Sequence, residues 1–174
     1  LWLQNAGFIW VPFIVLSTAL AWLGMDDVAS ARASFREQAR IFRRRHTWLI
    51  SGLYLGTFGS FIGFSAALPL LIKGSFPGVD PVRYAFLGPL VGALFRPVGG
   101  WLADRVGGSR VTLWNFLAMT GLALGALAFL PHGGAPGRFG PFLATFVLLF
   151  AATGVGNGST YRMIPAIFAG LHRA

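Results

Sequence analysis

The sequence contains no cysteine. A disulfide framework and thiolate chemistry are therefore excluded. Acidic residues are almost as scarce: Asp26, Asp27, Glu37, Asp80 and Asp104 are the five, against 14 lysines and arginines. Charged residues of both signs make up 11% of the chain, where soluble domains carry about 25%. There is no H-E-x-x-H pair and no acidic pair beside a histidine, so no hydrolytic or metal centre is expected. The expectation is a protein that is not an enzyme and needs no cofactor.

What is present is apolar. Hydrophobic residues are 55% of the 174, and they gather in five stretches, each long enough to cross about 30 Å of hydrocarbon. The stretches run 2–23, 48–72, 84–103, 111–130 and 139–164. An all-α membrane protein of five spans in a single membrane domain, 1–174, is expected. The 24 glycines suit helices whose backbones approach closely in a bilayer. The chain opens at Leu1 with no basic stretch ahead of its first apolar segment, so 2–23 reads as a span and not as a secretory leader. A piece of a longer helical bundle is the expectation.

The net charge of +9 would suit nucleic acid, but its placement argues for topology instead. Ten cations fall on one side of the five-span arrangement: Arg32, Arg36, Arg40, Arg43, Arg44 and Arg45 in the 24–47 connection, Arg105 and Arg110 near the third helix end, and Arg162 and Arg173 toward the C-terminus. Three, Lys73, Arg83 and Arg138, fall on the other. The positive-inside rule makes 24–47 and 104–110 cytoplasmic in an inner-membrane, multi-pass protein. Trp22, Trp48, Trp101 and Trp114 lie at the same helix ends, where an aromatic belt is expected. The bilayer and its anionic headgroups are thus the expected partner of the charge, and nucleic acid is not. Within the linker, Phe35, Ala39 and Phe42 recur at helical spacing among arginines, which predicts a basic amphipathic helix over 29–42 on the membrane surface.

One cation does not fit the surface. Arg96 lies mid-way along the third apolar stretch, near the middle of the bilayer, where insertion scales charge about 2.5–3.5 kcal/mol. Such a residue needs a ligand or a structural partner. No acidic residue or histidine lies at comparable depth in any of the five stretches. The GVGNGST run at 154–160 has no strand before it and sits in an apolar segment, so it reads as a helix-packing surface and not as a phosphate loop. Within it, Asn157 could present its amide to an anion path. Arg162, nearer the interface, reads as a snorkelling side chain.

The third stretch closes with Gly100-Trp-Leu-Ala-Asp104-Arg105-Val-Gly107-Gly108-Ser-Arg110, which resembles the G-x-L-x-D-R-x-G loop signature of the major facilitator superfamily. Glycines permit a tight turn there, and Asp104, Arg105 and Arg110 supply charges able to lock or release an inner gate as a bundle rocks. Three further stretches narrow the resemblance: Tyr54-Leu-Gly-Thr-Phe58-Gly-Ser-Phe-Ile-Gly-Phe-Ser, Phe86-Leu-Gly-Pro-Leu-Val-Gly-Ala-Leu-Phe-Arg96 and Gly154-Val-Gly-Asn-Gly-Ser-Thr-Tyr161. Together they look like the nitrate/nitrite porter family, over essentially the whole chain. The resemblance implies helices six to ten of a twelve-helix bundle. The N-terminal half and the last helices would then be partners, and the family's glycine-rich nitrate signatures would lie outside this chain.

It also implies roles. Arg96 matches the arginine that this half of the transporter contributes to a buried anion site, Tyr54 the substrate tyrosine, and Phe58 an aromatic one turn on. Tyr161 falls where the family often has another aromatic bordering the site. The chemistry of the residues agrees: a guanidinium fork matches two oxygens of planar nitrate or nitrite, a phenol donates a further hydrogen bond, and an aromatic face excludes water. Helix packing is the competing reading for Tyr54 and Phe58. Nitrate/nitrite exchange and proton-coupled nitrate uptake both fit this reading. A transporter of another small anion on the same fold, a membrane sensor or structural subunit, and an intramembrane enzyme are the alternatives.

Overall fold

The structure is a computed structural model that describes residues 7–25 and 39–170. The basic helix expected over 29–42 falls mostly on residues outside these, as do the first five residues of the 2–23 segment. The chain divides into two compact units, Leu1–Arg43 and Arg44–Ala174. In the first, helix α1 (Trp10–Gly24) is apolar but only 15 residues long, and a 3₁₀ turn follows at Arg40–Arg43.

The second unit is built of long apolar helices. Helix α2 (Arg45–Tyr54) passes through a π-helical turn (Leu55–Gly59) into α3 (Ser60–Ser75) without leaving the helix axis region. A short α4 (Val82–Ala85) leads into α5 (Leu87–Val106), followed by α6 (Gly108–Phe129) and α7 (Phe139–Gly170). Four helical stretches, Arg45–Ser75, Val82–Val106, Gly108–Phe129 and Phe139–Ile167, are long and apolar enough to cross a membrane. Short connections place successive stretches antiparallel. No strand forms among the described residues; His132 and Ala135 make an isolated bridge in the α6–α7 turn.

The core is an aromatic ladder on α7. Phe142, Phe146 and Phe150 recur every four residues and so share one face, and all three are buried. They meet Phe64, Leu68, Ile72 and Phe76 of the α3 side, with Phe76–Phe142 and Phe64–Phe146 ring centroids 5.1 and 5.7 Å apart. Each such pair contributes about 0.5–1.5 kcal/mol beyond its area. That matters where lipid removes the ordinary hydrophobic drive between helices.

Helices α5 and α7 approach until their backbones touch. A methyl group at Gly154 would sit 2.1 Å from the Gly92 carbonyl oxygen, and one at Gly158 2.0 Å from the Arg96 carbonyl oxygen. The GVGNGST run is thus a packing surface seated against the helix that carries Arg96.

The connection between α5 and α6 differs from the charged loop expected over 104–110. It is a single residue, Gly107, at φ +96°, a backbone conformation that a side chain would strain. Asp104 and Arg105 lie in the last turn of α5, and Arg110 in the first turn of α6. The charges are therefore set on helix ends with fixed directions.

Candidate functional site

The π-helical turn at Leu55–Gly59 is central to the site. A π turn inserts an extra residue into the helix and is frequent at functional positions. Here it carries Thr57, which is fully buried and donates its hydroxyl to the Leu53 and Tyr54 carbonyls, each at 3.2 Å. Buried Thr57 faces inward. The aromatic residues on either side of it form a stack: Tyr54 and Phe58 are 5.2 Å apart at 19°, and Phe58 and Phe61 are 6.2 Å apart at 7°.

Arg96 reaches this stack from α5. Its guanidinium carbon lies 5.5 Å from the Phe58 ring centroid and 5.2 Å from that of Phe61, within cation–π range. Its Nε is buried without a hydrogen-bond partner. Helix α7 closes the arrangement with Tyr161, whose ring meets Tyr54 edge-on at 5.3 Å and whose hydroxyl lies 3.4 Å from that of Tyr54. Tyr54, Phe58 and Tyr161 line one cavity of about 520 Å³ with Ile50, Ser51, Leu55, Gly59, Ile62 and Ile164. Arg96 and Asn157 are not among its lining residues. Asn157 is 2% exposed, and its Oδ1 has no partner. The structure thus brings Arg96, Tyr54, Phe58 and Tyr161 into one cluster, and sets Asn157 on the helix that bears Tyr161.

Chemically, the cluster offers a fixed cation with an unsatisfied donor edge, two phenol hydroxyls and flat apolar faces. No carboxylate neutralises Arg96 among the described residues. A small, planar, weakly hydrated anion suits that set: the guanidinium supplies charge-assisted donors, and the rings cover the ligand's faces.

Composition alone did not point to three features. Phe61 lies beneath Arg96, although its spacing of three from Phe58 places it on that face. A buried polar layer joins α6 to α7: Thr112 and Ser159 share a hydrogen bond of 3.0 Å, and Asn115 donates to Met119 Sδ at 3.4 Å. Asn115 also fills the notch at Gly156, where a methyl group would lie 2.3 Å from its Nδ2. The recurrence of Thr112, Asn115 and Met119 on one helix face is the signal that marks this layer. Third, Asp104 pairs with Arg162 between α5 and α7. Arg162 is accordingly an ion-pair partner as well as an interfacial cation. Of the other gate candidates, Arg105 stacks over Trp101 at 4.3 Å from the ring centroid, and Arg110 is exposed on the first turn of α6.

No family model matches the chain. Individual proteins do. The nitrate/nitrite transporter NarU of Escherichia coli K12 is 50% identical over 167 residues, covering 95% of this chain and 36% of that protein. The "Probable nitrate/nitrite antiporter NarK2" of Thermus thermophilus is 48% identical over 174 residues, covering 97% of this chain and 38% of that protein. The nitrite extrusion protein of Bacillus subtilis 168 is 33% identical over 146 residues, 79% of this chain and 34% of that protein. The chain therefore spans little more than a third of the length of these relatives.

Long apolar helices packed through glycines, one of them bearing a cation whose Nε is buried, define a multi-pass, α-helical protein of the plasma membrane. Those three relatives, matched over most of the chain, make the assignment particular: the chain belongs to the nitrate/nitrite porter family of the major facilitator superfamily.

Proposed function

We propose that this chain forms part of a nitrate/nitrite transporter, and that Arg96 is its contribution to the anion site. One observation carries the reading: a guanidinium at membrane depth, with a buried Nε that no group satisfies, lies over the Phe58 and Phe61 rings, and Phe58 in turn stacks on Tyr54. The cost of such a cation is offset when an anion completes its hydrogen bonds. On this reading Tyr54 donates to the anion and Phe58 covers it. Tyr161 and Asn157 border its path, and the rest of the bundle supplies the facing half of the site. Transport proceeds by alternating access, with Asp104, Arg105 and Arg110 at the cytoplasmic gate; the 24–47 connection is a cytoplasmic linker. The protein carries out no covalent chemistry.

Nitrate binding to the full-length protein, with Arg96 replaced by Lys or Gln at matched membrane expression, tests the reading. Lysine keeps the charge but loses the planar fork. Loss of one charge-assisted hydrogen bond in a dry site costs about 1.5–3 kcal/mol, so affinity should fall about ten- to a hundredfold in Arg96→Lys and further in Arg96→Gln. Near-normal affinity in the glutamine variant would remove Arg96 from the site. Nitrate/nitrite exchange is favoured over proton symport by the naming of the Thermus relative as a probable antiporter and is read from counterflow: internal nitrite should accelerate nitrate entry without a pH gradient.

A further inference from the structure

Phe61 is absent from the cavity wall, yet it makes the closer of the two aromatic contacts with Arg96, at 5.2 Å from the guanidinium carbon. Its ring is tightly held. It lies nearly parallel to Phe58, at 7°, and meets Phe150 edge-on at 5.7 Å and 89°. Phe150 is fully buried in the aromatic core. The Cε2 edge of the Phe61 ring rests on α5 at Gly92, where a methyl group would come within 2.7 Å of it. Gly92 is four residues before Arg96, one turn below it on the same face. The missing side chain at Gly92 is therefore what admits the ring beneath the guanidinium.

We propose that Phe61 is a positioning residue for the anion site: packed against Phe150 and the bare backbone at Gly92, its ring supports the Arg96 guanidinium and fixes where its donor edge waits for the anion. A guanidinium without a carboxylate partner has few ways to be held in place in an apolar interior. Hydrogen bonds from its own helix would consume the donors the anion needs. An aromatic face attracts the cation through the ring quadrupole and leaves every N–H free. Phe58 shares the attraction, but it also lines the cavity. Phe61 alone of the pair is committed to the cation.

The inference rests on the reading of Arg96 as an anion ligand, and the experiment separates the two. Phe61 is replaced, by nonsense suppression in the full-length protein, with mono-, di- and trifluorophenylalanine. Fluorination drains the ring face of negative charge while changing its shape little. The same series at Phe64, which packs against Phe146 and Phe150 and touches no cation among the described residues, is the control. Nitrate affinity should fall stepwise with fluorination at Phe61, about two- to thirtyfold at the trifluoro ring, with thermal stability unmoved and the Phe64 series flat. Phe61→Leu should fall at least as far. A flat Phe61 series, in a protein that binds nitrate and loses it in Arg96→Gln, overturns the positioning role alone. Absence of nitrate binding in the wild-type protein, or unchanged affinity in Arg96→Gln, overturns both.

Discussion

Two tyrosines face each other across the candidate site, and their geometry separates their roles. The hydroxyl–hydroxyl distance of 3.4 Å is long for an O–H···O bond, so the pair constrains neither ring strongly. Tyr54 stacks on Phe58 and so joins the aromatic assembly that carries Arg96, whereas Tyr161 is 57% exposed and meets that assembly only at its edge. Tyr54 is thus the better-placed donor to an anion lying against Arg96. Removing one neutral hydrogen bond costs about 0.5–1.5 kcal/mol, so Tyr54→Phe should weaken nitrate binding about two- to tenfold. Tyr161→Phe should weaken it less than about twofold, because the ring that borders the cavity is kept. Titration of nitrate into the two purified variants decides the order. Equal losses would mean that the anion sits between the hydroxyls and not on the Tyr54 side.

At the scale of elements, the site depends on how closely α5 and α7 pack. The backbone of Arg96 itself is the contact surface for Gly158, so spreading the helices displaces the site residue directly. Gly158→Ala should cost about 1–3 kcal/mol by overpacking and lower both thermal stability and nitrate affinity. Gly100→Ala is the matched control: its methyl group would lie 3.9 Å from the Gly158 carbonyl oxygen, an ordinary contact, and both readouts should be preserved. The apolar stretches made the helices legible in the sequence, because length and composition decide whether a segment can satisfy its backbone in lipid. The shared face of Tyr54 and Phe58 was equally legible, since spacing of four is a local property. The π turn between them was not. Gly56 and Gly59 loosen that segment, but whether a helix adds a residue there depends on what Thr57 and the aromatic rings meet on neighbouring helices. Phe61 was hidden for a related reason: its role is set by Gly92, 31 positions away in the chain, and no local pattern links them.

For the whole molecule, the informative contact is the ion pair of Asp104 with Arg162, which joins the cytoplasmic ends of α5 and α7 on the proposed topology. The sequence separation of 58 residues kept it from view, and Arg162 alone resembles any interfacial cation. Both side chains are about half exposed, so water screens the pair and its contribution to stability is small. An exposed pair at the end of a rigid helix is well suited to being made and broken during a transport cycle. Asp104 lies eight residues beyond Arg96, about 12 Å along the helix, too far to touch the same anion. Asp104→Asn should therefore slow nitrate transport several-fold while leaving equilibrium nitrate affinity within about twofold. Arg162→Asp should slow transport similarly. The double exchange, Asp104→Arg with Arg162→Asp, restores an attractive pair in reversed order and should recover much of the rate. The measurement is initial nitrate uptake into vesicles beside equilibrium binding for all three proteins. If the pair were only a structural clip, rate and thermal stability would fall together, and the rate would not return without the stability. If Asp104 instead contacted the anion, binding would weaken in Asp104→Asn and the reversed pair would not rescue it. Recovery of the rate in the double exchange, with affinity steady throughout, is the outcome that makes these helix ends a gate.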